Sequence, residues 1–252
     1  MSGSGACDGE QFARSFDRAA EEYERGRPGY AEAALDALGL PADSVVLDLA
    51  AGTGKLTRQL VPRFNRVIAV EPLGGMRAQL QRVVPGAEAL VGTAESIPLD
   101  DDSVDAVFVA EAFHWFGTSA ALDEIARVLR PGGTLAVLFN ERDAELDPPL
   151  TQAVRDTLDE LALKKPPEVT VSSGLWQRPF PGPFEPLKEE RFSHTVERDR
   201  EGLLASIASW SVVAGLPDDQ RAVLLGRLAE LIPEGRYVSS LRTELYRTRL
   251  RP

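Results

Sequence analysis

The residue types and spacings best suited to chemistry lie in one segment, Val45-Val-Leu-Asp-Leu-Ala-Ala-Gly-Thr-Gly-Lys-Leu-Thr57. A short apolar, β-branched run ends at Leu49, Gly52 and Gly54 make a tight turn, and a helix-like stretch follows. Glycine permits positive φ and lets a ligand come close to the backbone. In open α/β sheets, ligands collect at the carboxyl ends of strands, where this turn falls. A phosphate-cradling P-loop needs G-x-x-x-x-G-K-[ST]. Here Leu49 stands at the first glycine position and Leu56 at the hydroxyl position, so that chemistry fails. A dinucleotide turn needs G-x-G-x-x-G, and Thr57 in place of the third glycine weakens that reading without removing it.

A third ligand for such a turn is a sulfonium nucleoside, S-adenosylmethionine, whose loop is D-x-G-x-G-x-G-like and poorer in glycine at its end. The next apolar run ends in Val70-Glu71-Pro72, nineteen residues beyond Gly52. A carboxylate there can accept hydrogen bonds from both ribose hydroxyls of a nucleoside, although NAD enzymes share this feature. Ala89-Leu-Val91 then leads into Gly92-Thr-Ala-Glu-Ser-Ile-Pro98. In that segment the Ala94 N–H and the Glu95 carboxylate are placed to read an adenine edge, a pair that dehydrogenases do not require. The three signals, in this order and spacing, favour the sulfonium nucleoside. Asp100-Asp-Asp102 reads as a solvated turn, because clustered acids alone lack the remaining ligands of a calcium loop. A lone Cys7 with only His114 and His194 argues against a zinc site, so no metal is expected.

The elements that must position these residues alternate. Strand-like runs at 44–49, 66–70, 104–109 and 134–139 are almost continuously apolar, as a parallel sheet covered on both faces requires. Helix-like stretches at 55–61, 75–83 and 118–129 separate them, and this alternation predicts an α/β, doubly wound, Rossmann-like sheet. Ahead of the core, helices are expected at 10–24 and 30–38, after a flexible end at 1–9. Eight of the eighteen prolines fall between Pro148 and Pro186. That excludes regular sheet there and suits either a lid carrying Trp176 or an inert surface loop, with a helix at 149–163. A strand at 191–196, helices at 199–213 and 218–231, and a last strand at 241–250 close the chain. The expected organisation is a single domain over 10–252: a helical cap at 10–40, a core at 41–140, a Pro-rich lid insertion at 141–188, and a completing segment at 189–252.

The bulk composition narrows the class. Of 252 residues, 43% are hydrophobic and 27% charged, which is ordinary globular usage. A net charge of -11 argues against nucleic acid or an anionic membrane as partner. The one basic bias is near the C-terminus, at Arg236, Arg242, Arg247, Arg249 and Arg251, and reads as a solvated strand face. No apolar run reaches membrane-span length, no signal peptide is visible, and one cysteine excludes an intrachain disulfide. A cytoplasmic protein is expected.

Taken in order, Leu47-Asp-Leu-Ala-Ala-Gly-Thr-Gly54, Val70-Glu-Pro72, Gly92-Thr-Ala-Glu95, Asp105-Ala-Val-Phe-Val-Ala-Glu-Ala112 and Leu129-Arg-Pro-Gly-Gly-Thr134 resemble the class I S-adenosylmethionine-dependent methyltransferases with a ubiquinone/menaquinone-methyltransferase-like core. Phe113-His-Trp-Phe116 and Tyr23-x3-Arg27-Pro-x-Tyr30 are similar to the trans-aconitate methyltransferase-like subgroup, as are Ser209-Trp-Ser211 and Arg242-Thr-Glu-Leu-Tyr246. The resemblance implies a seven-stranded sheet and a set of cofactor residues. Asp48, Ala50, Gly52, Thr53 and Gly54 would line the methionine and ribose, with Ala50 standing where the usual motif has its first glycine. Glu71 would hold the ribose, Leu73 and Met76 would pack near the adenine, Ala94 and Glu95 would read it, and Glu111 would lie near the sulfonium. Tyr23 and Arg27 would reach the cofactor carboxylate. His114 is the candidate catalytic base for a hydroxyl acceptor; its other reading is packing within an aromatic cluster. The implied acceptor is a small molecule, methylated on oxygen, in a pocket walled by the N-terminal helices, Phe113–Phe116 and the Pro-rich insertion. An NAD(P)-dependent oxidoreductase and a non-catalytic S-adenosylmethionine-binding protein are the alternatives. The oligomeric state is not legible.

Overall fold

A computed structural model describes residues 20–142, 154, 156–158 and 174–251. The expected flexible end at 1–9, residues 10–19 of the helix expected at 10–24, and most of the Pro-rich insertion, including most of its helix expected at 149–163, lie outside the described residues. Seven strands form one sheet: β1 (Val45–Leu49), β2 (Arg66–Val70), β3 (Glu88–Leu90), β4 (Val104–Ala110), β5 (Leu129–Arg142), β6 (Lys188–Asp199) and β7 (Arg236–Arg249). Their order is β3-β2-β1-β4-β5-β7-β6, and the pairs β1–β2, β1–β4, β2–β3 and β4–β5 are parallel. This is the expected Rossmann-like, doubly wound arrangement.

The apolar runs serve both faces of the sheet because successive side chains point to opposite sides. Leu47 and Leu49 of β1, with Leu135, Val137 and Phe139 of β5, enter one core, which is completed by Ala121, Leu122, Ile125 and Val128. Those four lie on one side of α6 (Ser119–Val128), which Thr118 caps by accepting the Ala121 N–H at 3.2 Å. Val46, Ala136 and Leu138 point the other way, onto Ala34 and Leu35 of α2 (Glu32–Asp36) and Leu60 of α3 (Thr57–Leu60). α4 (Gly74–Val83) follows β2, and α5 (Phe113–Phe116) follows β4.

Two compact units divide the chain: residues 1–28, 142–166 and 195–241 make one, and residues 29–141, 167–194 and 242–252 the other. In the first, α1 (Ala20–Gly26) packs on α7 (Arg200–Ala208) so closely that a Cβ on Gly26 would lie 2.3 Å from the Ala205 backbone. Leu203, Ile207, Val213, Leu228 and Ile232 form this unit's core, drawing on α7, α8 (Ser211–Ala214) and α9 (Asp218–Leu231). Among the described residues, no helix is long and apolar enough to cross a membrane, and no cluster of metal-ligating side chains occurs.

Both closing strands start before their expected ranges, β6 at Lys188 and β7 at Arg236, and three further features differ from the sequence expectation. β5 begins at Leu129, five residues early, because Pro131-Gly132-Gly133 is absorbed as an irregularity. Val104 pairs with Leu129, whereas Ala106 already pairs with Thr134. The helix expected at 199–213 breaks at Ser209, whose hydroxyl donates back to the Ser206 carbonyl at 2.6 Å. Trp176 is 4% exposed and sits in the core against Phe113, Phe139, Phe180 and Tyr246, at ring separations of 5.9, 5.2, 6.2 and 4.8 Å. Its indole is therefore a core side chain.

Candidate active site

The turn after β1 is built from left-handed backbone. Ala50, Gly52 and Gly54 have φ of 59°, 58° and 88°. An alanine in this region is uncommon, and such strain concentrates at functional sites. The Ala51 N–H donates to the Val70 carbonyl at 3.1 Å and the Gly54 N–H to the Ala51 carbonyl at 2.9 Å, so the turn is tied to β2 and to itself. Gly54 also permits close packing: a Cβ there would meet Leu80 Cγ at 3.0 Å and Val84 Cγ2 at 3.1 Å.

Two buried carboxylates flank this turn. Asp48, 1% exposed, accepts the Thr57 hydroxyl on Oδ2 at 2.6 Å, while its Oδ1 is buried without a partner among the described residues. Burial, followed by the charge of Glu71, raises its pKa from 3.8 to about 7 against the lowering effect of the Thr57 hydrogen bonds. Thr53, fully buried, likewise leaves Oγ1 without a partner among the described residues. Glu71, 4% exposed, accepts the Gly52 N–H on Oε2 and the Leu73 N–H on Oε1, each at 2.8 Å. Orphaned buried oxygens are rare in native structures and mark where ligand groups belong.

The other candidate residues are placed as follows. Ala94 (buried) and Glu95 (exposed) occupy the tip of a reverse turn closed by reciprocal Thr93–Ser96 backbone bonds of 3.2 and 3.3 Å. Leu73 is half-buried before α4, and Met76 is 3% exposed within it. Glu111 closes β4 in a left-handed conformation (φ 56°) and accepts the Asn140 N–H at 2.5 Å. His114 is half-buried on α5, its ring 5.0 Å from Trp115 and 5.8 Å from Phe139. Tyr23 and Arg27 belong to the other unit, where the Arg27 guanidinium lies 5.3 Å from the Tyr23 ring centroid and donates to the Ser209 carbonyl at 3.1 Å.

Several contributors are invisible in the sequence. Arg127 braces the loop behind Ala94 and Glu95 by donating to the carbonyls of Ile97 (3.0 Å) and Leu99 (2.8 Å). Its partner Glu124 accepts the Ile97 N–H at 2.9 Å and is held below the usual carboxylate pKa, chiefly by Arg127. Thr57, at the position of a dinucleotide turn's third glycine, serves instead as the hydroxyl donor to Asp48.

Residues 47–137 match the methyltransferase domain model. Over 226 residues the chain is 40% identical to an uncharacterized methyltransferase of Mycobacterium tuberculosis, covering 90% of this chain and 88% of that one. It is 32% identical over 227 residues to an uncharacterized methyltransferase of Schizosaccharomyces pombe, covering 88% of each. A solved structure from Anaeromyxobacter dehalogenans, assigned as a type II methyltransferase, superposes with a TM-score of 0.70 at 28% identity, covering 90% of this chain and 99% of the other. The fold and its edge thus define a class I methyltransferase. The chain belongs to the S-adenosylmethionine-dependent methyltransferase family, which implies S-adenosylmethionine as the methyl donor.

Proposed function

We propose that the protein methylates an oxygen of a small acceptor, such as a phenol or carboxylic acid, with the donor held at the β1–β2 edge. The observation that carries this reading is the acid-lined turn. Two buried carboxylates, Asp48 and Glu71, and the orphaned Thr53 hydroxyl surround three left-handed residues. This donor set fits a cationic nucleoside: Glu71 has acceptor capacity left for ribose hydroxyls, and Asp48 Oδ1, buried and unsatisfied among the described residues, could accept from an ammonium or hydroxyl donor. The donor supplies an electrophilic methyl on a sulfonium that departs as a neutral thioether.

The chain's own task is then alignment and exclusion of water. Ala94 and Glu95 would fix the base, Glu71 the ribose, and Asp48 with Gly52 and Gly54 the methionine end, bringing the methyl to the edge where Glu111 and His114 lie. Holding the reactants in line is worth up to roughly 7–11 kcal/mol. The His114 imidazole would take the proton of a hydroxyl acceptor as its oxygen bonds to the methyl carbon; a carboxylate acceptor needs no base. The motifs shared with trans-aconitate methyltransferase-like proteins support an oxygen acceptor.

The experiment is a thermal-shift and turnover series with S-adenosylhomocysteine, S-adenosylmethionine and NAD. The expected result is stabilisation by the two sulfur nucleosides alone, lost in Glu71→Ala, at about 2.7 kcal/mol for a ligand at a hundred times Kd. In turnover, His114→Ala should lower kcat on phenols by about 10²–10⁴ while sparing carboxylic acids. Stabilisation by NAD alone would overturn the assignment of this edge, and equal losses on both acceptor types would remove the base role of His114.

A further inference from the structure

The segment Gly29–Ala31 is held almost entirely by side chains. The Gly29 carbonyl accepts from Asn140 Nδ2 at 2.9 Å. The Tyr30 N–H donates to Gln59 Oε1 and the Tyr30 carbonyl accepts from Gln59 Nε2, both at 2.8 Å, a reciprocal amide pair. The Ala31 N–H donates to Thr243 Oγ1 at 2.9 Å, and the Thr243 hydroxyl passes its own hydrogen to Asn140 Oδ1 at 2.6 Å. Four successive backbone groups are therefore met by three side chains. A Cβ on Gly29 would lie 2.8 Å from Gln59 Oε1, so another residue there would push the Gln59 amide out of its pair with Tyr30.

The origins of those side chains give the segment its role. Gln59 is on α3, directly after the left-handed turn; Asn140 is near the end of β5, and its backbone N–H supports the Glu111 carboxylate; Thr243 is on β7. β1, β4 and β5 are consecutive in the sheet. Both ends of the strap therefore meet the Asn140–Thr243 pair, whose asparagine also carries Glu111 through its backbone N–H, and its middle meets the helix that leaves the left-handed turn.

We propose that Gln59, Asn140 and Thr243 are positioning residues that hold Gly29–Ala31 as a rigid wall of the cofactor crevice, an inference that rests on the donor site proposed above. A wall ordered before binding leaves less freedom to be lost on binding, which raises affinity. None of the three reaches the reacting atoms. Their loss therefore raises KM for S-adenosylmethionine and leaves the saturated kcat unchanged.

Gln59→Met and Asn140→Leu, singly and together in the full chain, test this with S-adenosylhomocysteine titration, S-adenosylmethionine kinetics, ligand-free melting, and hydrogen exchange at the Tyr30 and Ala31 amides. Each single variant should speed exchange at those amides and weaken S-adenosylhomocysteine roughly three- to tenfold, the effect of one or two net hydrogen bonds. The double variant should lose less than the product of the two, because either change releases the same strap. Gln59→Met, on the half-buried face of a short helix, remains informative if Asn140→Leu folds poorly. A lowered Tm with unchanged affinity in both variants would reduce the ties to a structural role and overturn the proposal. A wild-type chain that ignores S-adenosylhomocysteine would overturn the donor site itself and the strap's role with it.

Discussion

Asp48 should cost the ligand-free protein stability that rises with pH, and Asp48→Asn should recover it. The carboxyl is 1% exposed, has one satisfied oxygen and faces the charge of Glu71, and its pKa is raised from 3.8 to about 7. Below pH 3.8 the group is protonated in both folded and unfolded chains, and no linkage arises. Between the two values the folded chain keeps a proton that the unfolded chain has lost, so stability falls as pH rises; above about 7 the cost is complete. At 1.36 kcal/mol for each pH unit between the two titrations, the ceiling is about 4 kcal/mol, of which about 2 kcal/mol accrues between pH 5.5 and 8. Asparagine preserves the shape and the acceptor for Thr57 while removing the charge. In urea unfolding without ligand, its stabilising effect should be larger at pH 8 than at pH 5.5 by about 2 kcal/mol. An equal effect at the two pH values would refute the argument that a buried, poorly compensated charge sits there. The same substitution should weaken S-adenosylhomocysteine binding, separating stability from function at one residue.

Two further substitutions probe the turn and the core. Gly54→Ala forces a side chain into a φ of 88° and against Leu80 and Val84, and should destabilise by about 1–3 kcal/mol in urea unfolding, whereas Ala50→Gly relieves a left-handed alanine and should stabilise by up to about 1 kcal/mol. Trp176→Ala should cost about 3–5 kcal/mol of ligand-free stability, and a cost under about 1 kcal/mol would show that the indole is not a core side chain.

What could be read from the chain alone follows from where its information is local. β1, β2, α4, α6 and α9 fall within about two residues of expectation because their apolar runs and periods are contained in each segment. β6 runs from Lys188 to Asp199, well beyond the expected 191–196, because it is rich in charge and alternates exposed with half-exposed residues. Such a strand lacks the continuous apolar signal of the central ones. Pro131-Gly132-Gly133 hid the start of β5 because those residues punctuate most chains, whereas this sheet absorbs them as an irregularity. At the site, the positions of Asp48 and Glu71 were legible because one lies near the end of β1 and the other directly after β2, each marked by that strand's own apolar run. The Arg127 brace and the Asn140 tie join residues 28 and 111 positions apart, a separation with no local signature.

The acid-lined edge also explains why the turn tolerates its departures from a dinucleotide motif. A pyrophosphate needs free backbone N–H groups and a positive field. Here the Gly52 N–H is occupied by Glu71, the Gly54 N–H by Ala51, and the nearest buried charges are carboxylates in mutual repulsion. An anion entering this turn would add negative charge beside Glu71 and make ionised Asp48 costlier still, whereas a sulfonium or an ammonium would favour the ionised carboxyl. The unfavourable position of Asp48 in this turn and the proposed preference for a cationic nucleoside thus have one cause, two carboxyl groups buried beside one another.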